Sequence, residues 1–413
     1  MSIGRSGLVN SLKLRIRRMG PVGMALRYVA EWCRTAYLRA VRGVKGIDHD
    51  KVIFSCLIAR SYGDNLKPIS ELLHAQRPQT KIVWMFRDPA AKKSVVPDYV
   101  TVCDPISLKG LAEYATARVW VDNFTLGNYL KRRRGEQFYL NTWHGDRAFK
   151  KIAYDANPDC RRRMEEHCDV MMAGSEFGES LLRSAFNYRG ELINEGCPRN
   201  DCLVNYDPER AREIRRATGA PEGARILLYA PTFRDTTRQE AFGTDIDFER
   251  TLDDLEKKTG DKWVCFFRAH HMASGGLAMR AGGRMYDLSK YEDMADLLLI
   301  TDALITDYSS SAMDYAILGR RVFIYQNDIE DYTAHDRAVY YPMEKSPFLI
   351  AHNQEELSRI IAETGDQEAR ENCRAIAEFF GFRETGHATQ SAVDRIRIWL
   401  GDCGWDKGGW VSK

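Results

Sequence analysis

Several things are missing from this 413-residue chain, and each absence narrows its chemistry. No run approaches the ~20 consecutive apolar residues of a membrane span, and no apolar stretch near the start leads into a small-residue cleavage site. The body of the protein is therefore expected to stay in the cytoplasm. No G-x-x-x-x-G-K-S/T loop, no G-x-G-x-x-G after a strand and no G-x-S-x-G elbow occurs; Gly174-Ser175-Glu176-Phe177-Gly178 has the wrong order. P-loop ATP hydrolysis, dinucleotide chemistry and serine hydrolysis fall away. The ten cysteines run from Cys33 to Cys403 without C-x-x-C spacing, as in a cytosolic chain of reduced thiols. Cys160, His167 and Cys168 lie close together, but a structural zinc needs four ligands at recognisable spacing, so no metal site is assigned.

What is present is an ordinary globular composition with an uneven charge. Hydrophobic residues make up 44% and charged residues 29%, enough to bury substantial cores, and the length suggests two domains. Net charge is only +2, yet residues 1–45 hold ten Lys and Arg against the single acid Glu31, leaving 50 basic and 57 acidic residues in the body. A basic arm on a mildly acidic body calls for an anionic partner, nucleic acid or lipid headgroups. No nucleic-acid module accompanies the arm.

Residues 24–44 place Ala25, Tyr28, Val29, Trp32, Cys33, Ala36, Tyr37, Ala40, Val41 and Val44 at helical spacing, with Arg27, Arg34 and Arg42 mostly off that stripe. Two readings stand: a helix docked on the protein's own core, or an amphipathic interfacial helix. The second gains from the Lys13–Arg18 cluster and from the aromatic residues Tyr28, Trp32 and Tyr37.

From Lys51 onward short apolar runs alternate with helical segments. Val52–Leu57, Lys81–Phe86, Arg118–Val121, Phe138–Trp143, Val170–Ala173 and Leu192–Glu195 read as strands; Leu66–His74, Leu108–Ala117 and Glu176–Phe186 read as helices. Residues 206–223 read as a linker. The alternation then restarts with strands Arg225–Tyr229, Trp263–Arg268, Ala303–Thr306 and Val322–Tyr325 and helices Phe248–Lys258, Met294–Ile300 and Ala312–Leu318. The expected fold class is α/β: two Rossmann-like domains facing a cleft, 46–205 and 224–385, with a C-terminal helix and tail over 386–413.

Three strand ends carry candidate chemistry. In Asn141-Thr142-Trp143-His144-Gly145-Asp146 a histidine and a glycine follow a buried strand, where an α/β fold presents its functional loop. Arg268-Ala269-His270-His271 offers donors suited to phosphate oxygens, though a polar loop reads equally well. Thr306-Asp307-Tyr308-Ser309-Ser310-Ser311 ends a strand in a hydroxyl-rich turn, and serines there serve as helix caps or as part of an anion site.

Taken together these segments resemble the CDP-glycerol glycerophosphotransferase family, the teichoic-acid primases and polymerases. The resemblance runs from about Val52 to Tyr332 and includes Ser61-Tyr62-Gly63-Asp64-Asn65-Leu66-Lys67, Thr142-Trp143-His144-Gly145, Gly196-Cys197-Pro198-Arg199-Asn200-Asp201, Tyr229-Ala230-Pro231-Thr232-Phe233-Arg234-Asp235 and Ile305-Thr306-Asp307-Tyr308-Ser309-Ser310. It implies a glycosyltransferase-B-like fold with the acceptor at the N-terminal half and a CDP-polyol donor at the C-terminal half. By resemblance His144 is the general base, and His270 acts with it at the reacting phosphates. Gly145, Asp146, Arg199, Thr232, Arg234, Arg268, Ser309, Ser310 and Asp314 match donor-binding positions. The implied partners are CDP-glycerol or a related CDP-polyol, a lipid-linked polymer acceptor and the anionic cytoplasmic face of the membrane. No tightly bound cofactor is implied. Divalent-cation dependence stays open: Asp302, Asp307 and Asp314 are acidic candidates, with Asp302 expected to face the fold.

Two departures from the family pattern bear on the site. Members usually read His-Gly-Thr-Pro where this chain has His144-Gly145-Asp146-Arg147, and His271 stands where a proline usually follows the histidine. A carboxylate at Asp146 near a phosphate is unfavourable unless Arg147 offsets it. The competing readings are a same-fold transferase using CDP-ribitol or a nucleotide sugar, and a catalytically silent scaffold held at the membrane by the basic arm.

Overall fold

The computed structural model describes residues 20–126, 130–157, 167–232, 245–268, 283–329, 338–406 and 409–412. The chain forms two compact units, one of Met1–His144, Glu165–Met171 and Gln390–Lys413, the other of Gly145–Met164 and Met172–Thr389.

In the first unit β1 (Asp48–Ser55), β2 (Lys81–Met85), β3 (Thr101–Cys103), β4 (Ala117–Asp122), β5 (Phe138–Asn141) and the start of β6 (Val170–Ala173) pair in parallel. The sheet order is β3-β2-β1-β4-β5-β6-β7, with β7 at Glu191–Asn194, and the division between units falls inside β6. Val52, aligned with Ile82 on one side and Val119 on the other, is fully buried, as are Phe54, Trp84 and Trp120. Continuous apolar runs such as Val-Ile-Phe suit strands covered on both faces. The last turn of the C-terminal helix Ala388–Trp399 belongs here too: Trp399 stacks on Phe138 at 5.2 Å with the Arg118 guanidinium over its ring.

The second unit repeats the pattern with β8 (Arg225–Ala230), β9 (Trp263–Phe267), β10 (Met285–Asp287), β11 (Ala303–Thr306), β12 (Arg321–Tyr325) and β13 (Leu349–Ala351), ordered β10-β9-β8-β11-β12-β13 and parallel throughout. In each unit the first strand lies between the second and the fourth, so the winding reverses between β1 and β4 and again between β8 and β11. Such reversal points open crevices at the strands' carboxyl ends, where doubly wound folds place their ligands. Helix Phe248–Thr259 shows why the local sequence folds so: Asp247 caps its first turn, and Gly260, at φ +78°, ends it in a left-handed conformation that glycine tolerates.

Strands β3, β10 and β13 have three residues each and escaped the sequence reading, because a window that short carries no period. The helix expected over 24–44 spans Gly20–Lys45. It docks by one face: Leu38 is fully buried, the Tyr37 hydroxyl donates to the Leu108 carbonyl at 3.1 Å, and Arg42 donates to the Gln137 side chain at 2.8 Å. Its opposite face leaves Tyr28, Val29, Trp32 and Val44 exposed, Trp32 by 72%. The contacts of Leu38, Tyr37 and Arg42 bear out the reading of a helix docked on the protein's own core. Among the described residues no helix is long and apolar enough to cross a membrane.

Candidate active site

In the first unit the site is built on the carboxyl ends of β1, β4 and β5. Trp143, just after β5, has φ +48°, a left-handed backbone that a non-glycine residue adopts at a cost of roughly 1–2 kcal/mol. Two asparagines hold it there. The Asn141 side chain accepts the Trp143 amide at 2.8 Å, and the buried Asn65 side chain donates to the Trp143 carbonyl at 2.9 Å. The bend turns half-buried His144 onto the loop after β4, where its ring stacks on Phe124 at 5.5 Å and its Nδ1 lies 2.7 Å from the Asn123 carbonyl oxygen. A carbonyl can only accept, so Nδ1 carries the hydrogen, and the basic lone pair of the neutral ring is on Nε2.

The β4 loop is itself fixed by Asp122. Its buried carboxylate accepts the amides of Phe124 at 3.1 Å and Leu126 at 2.9 Å and the Tyr139 hydroxyl at 3.3 Å. Burial pushes this carboxyl up to about 6 despite those donors. Asn123 then reaches across the β1/β4 reversal, its side chain accepting the Leu57 amide at 2.7 Å. Leu57, Ile58 and Ala59 are consecutive non-glycine residues at φ +45°, +60° and +60°. Backbone strain of this kind collects at functional sites.

In the second unit the carboxyl ends of β9, β8 and β11, neighbours in the sheet, carry Arg268, Thr232 and the Ser309-Ser310 turn. Asp307 ties two of these loops: its Oδ1 accepts the Thr232 amide at 2.9 Å, the Thr232 hydroxyl and the Tyr308 amide at 2.5 Å. The Ser311 hydroxyl donates to Ser309 Oγ at 2.9 Å, fixing the turn. Arg268 donates to the carbonyls of Tyr291 and Glu292, each at 3.3 Å. Gly145 packs by this turn, where a Cβ would stand 3.7 Å from Ser310 Oγ. His270 and Arg234 lie outside the described residues, as do His271 and Asp235.

The remaining candidates fall into a buried ionic cluster of the same unit. The Arg147 guanidinium, 1% exposed, meets Asp314 Oδ1 at 2.9 Å and Glu384 Oε1 at 2.7 Å and lies over the Phe382 ring. Arg199 meets the other oxygen of Asp314 at 2.9 Å, and the Asn200 side chain donates to both Asp314 and Glu384. Asp146 accepts the Gly174 amide at 2.8 Å and the Ser175 hydroxyl at 3.2 Å and lies 3.4 Å from Arg147. A Cβ on Gly178 would come within 2.5 Å of Asp146 Oδ2, so glycine is required there. The rejected Gly174–Gly178 elbow is thus a helix cap that receives Asp146: Ser175 Oγ accepts the Gly178 amide at the start of helix Glu176–Ala185.

Burial pushes the Asp314 carboxyl up, but Arg199 and Arg147 outweigh it and hold it below its usual range. Burial likewise raises Glu384, and Arg147 only partly offsets it. Burial, Asp146 and Glu384 raise the Cys197 thiol well above its usual value. Asp146, at 3% exposed, faces this cluster, and Arg147 does offset it as the sequence required. Asp302 binds the Ile226 amide at 2.9 Å at the opposite end of the sheet. Among the described residues no three His, Cys, Asp or Glu side chains are placed to hold a metal ion.

Sequence reasoning missed Asn65, Asn123, Asn141 and Glu384. Asn65 and Asn141 sat inside the motifs singled out above, which was a usable signal, whereas nothing local marks Glu384.

Paired parallel α/β units wound in this order are of the glycosyltransferase-B type. The chain matches the model of the CDP-glycerol:poly(glycerophosphate) glycerophosphotransferase family over residues 36–397 and belongs to that family. A teichoic acid poly(glycerol phosphate) polymerase of Staphylococcus epidermidis is 30% identical over 369 residues, covering 84% of this chain and 50% of that protein. One of the same description from Bacillus spizizenii is 27% identical over 362 residues, covering 84% and 91%. The chain therefore spans half of the first relative and nearly all of the second. A solved structure of the wall teichoic acid polymerase TagF superposes with a TM-score of 0.78 at 27% identity, covering 94% of this chain and 98% of that one.

Proposed function

We propose that this chain transfers glycerol phosphate from CDP-glycerol to a hydroxyl of a lipid-linked, teichoic-acid-like polymer and releases CMP. His144 Nε2 takes the proton of the acceptor hydroxyl as its oxygen attacks the glycerol-bearing phosphorus; the bond from that phosphorus to the bridging oxygen breaks, and CMP leaves with the electron pair. The observation that carries this reading is the hydrogen bond from His144 Nδ1 to Asn123, which leaves the base on Nε2. A neutral imidazole with its lone pair on Nε2 is suited to accept a proton.

Phosphoryl transfer depends mostly on positioning and charge stabilisation. Gly145, Thr232, Arg234, Arg268, His270, Ser309 and Ser310 are assigned to the donor phosphates. Asp146, Arg199 and Asp314 act behind them: Asp314 lies in helix Ser311–Ala316, directly after the serine turn, so the buried cluster fixes where that turn stands. Peripheral attachment to the cytoplasmic face of the membrane is assigned to the basic N-terminal arm and the exposed face of helix Gly20–Lys45.

The test is CMP release with CDP-glycerol, CDP-ribitol and UDP-sugars offered in turn, followed by product mass analysis. Turnover with CDP-glycerol is expected to dominate. Release from CDP-ribitol alone would reassign the donor, and release from none of them would favour a silent scaffold. His270→Ala and Ser309→Ala should each weaken CDP-glycerol binding in calorimetry, and unchanged affinity in both would move the donor site elsewhere.

A further inference from the structure

Two cations on the first unit have no role in the assignments above. Arg87 follows β2 by two residues, and its backbone amide and Nε donate to the carbonyls of Ala59 at 2.8 Å and Ile58 at 3.0 Å. Those carbonyls belong to the left-handed turn after β1, which the Arg60 amide closes on the Cys56 carbonyl at 2.9 Å. Arg60 and Arg87 are exposed, and among the described residues neither side chain meets a carboxylate and that of Arg60 makes no hydrogen bond. Partial burial and the like charge of Arg60 both lower the Arg87 guanidinium. Uncompensated like charges held together by a strained turn are better explained by an anionic ligand than by stability.

The turn is continuous with the catalytic loop. Arg87 holds Ile58 and Ala59, the Leu57 amide is held by Asn123, and the Asn123 carbonyl holds His144. All lie at the carboxyl edge of one sheet, in the strand order β2-β1-β4-β5. At about 4.8 Å per strand, β2 is roughly 14 Å from β5. That is too far for the reacting phosphate, which must sit at His144. It fits a charge further back along an acceptor that carries a phosphodiester on every unit.

We infer that Arg60 and Arg87 form a subsite for a backbone phosphodiester of the acceptor polymer, several bonds behind the hydroxyl that reacts. Guanidinium groups suit phosphate oxygens because their paired N–H donors match two oxygens at once. The inference rests on the proposed transfer reaction for the identity of the polymer.

Arg60→Gln is the lead variant, because its side chain supports no other group; Arg60→Lys keeps the charge, and Arg87→Lys leaves a cation without the forked donors. The probes are a synthetic oligo(glycerol phosphate) of about six units and glycerol 3-phosphate, titrated by calorimetry without donor at low and high salt. Arg60→Gln should weaken the oligomer about tenfold and flatten its salt dependence, with less than about a twofold change for glycerol 3-phosphate. Arg60→Lys should recover most of the loss, and KM for the oligomer should rise more than kcat falls. Oligomer affinity within about twofold of wild type, or equal losses for both probes, overturns the subsite. So does a loss confined to sedimentation with anionic vesicles, which would make the pair a headgroup contact. If wild type turns over CDP-glycerol normally while Arg60→Gln binds the oligomer as wild type does, only the subsite fails. If wild type neither binds the oligomer nor releases CMP, the transfer reading fails with it.

Discussion

The Nδ1 atom of His144 stands 2.7 Å from the carbonyl oxygen of Asn123, and this one contact sets both the tautomer and the direction of the proposed base. Because the partner is backbone, no side-chain substitution at position 123 removes the acceptor itself. His144→Ala should lower turnover roughly 10²–10⁴-fold while leaving thermal unfolding within about 2 °C of wild type. A variant keeping more than about a third of wild-type turnover would remove His144 from the mechanism.

Asn65 is buried and donates to the carbonyl of strained Trp143. Asn65→Ala should cost roughly 1–3 kcal/mol in urea unfolding, since a buried carbonyl loses its donor. It should also lower kcat more than it raises donor KM, because the bend aims His144. Full kcat in a destabilised Asn65→Ala enzyme would show that the strained bend is merely structural.

Asp122 gives a pH signature. Its carboxyl, at about 6 in the fold against an ordinary 3.8, keeps its proton between those values while the unfolded chain has lost it. The folded state therefore binds more protons in that window, and stability falls as pH rises from about 4 to about 6, then levels off. The stability difference between wild type and Asp122→Asn should shift by about 3 kcal/mol against wild type across that range. Parallel curves for the two proteins would place the Asp122 carboxyl near its ordinary value.

Arg147 is the cation that the buried carboxylates of Asp146, Asp314 and Glu384 share. Arg147→Met should destabilise by roughly 3–5 kcal/mol, the usual consequence of leaving buried charges without their partner. Adding Glu384→Gln should recover part of that loss, as expected of coupled neighbours. A loss below about 1 kcal/mol, measured by urea unfolding, would mean that the carboxylates are satisfied without Arg147.

The exposed helix face can be tested without disturbing its docked side. Tyr28→Ser with Trp32→Ser should reduce sedimentation with anionic vesicles several-fold and leave unfolding unchanged, because both side chains are exposed. Undiminished vesicle binding would confine any membrane contact to the basic arm or place it elsewhere.

The sequence by itself determined the class of fold and the long strands, because buried parallel strands advertise themselves as continuous apolar runs ended by polar turns. It also singled out His144, the Ser309-Ser310 turn and the family pattern, all of which are local in the chain. Only the tertiary structure decided which of the described candidates stand at the strands' carboxyl ends and which lie inside. Asp146 and Asp314, 168 positions apart, share Arg147, and Glu384 joins them from a further 70 positions along. No period or spacing encodes such a meeting, because it is made by the folding of separate strands and helices onto one another. The same holds for the Nδ1 contact of His144: that a ring N–H seeks an acceptor is chemistry, but that the acceptor is the carbonyl of Asn123 follows from β4 lying beside β5.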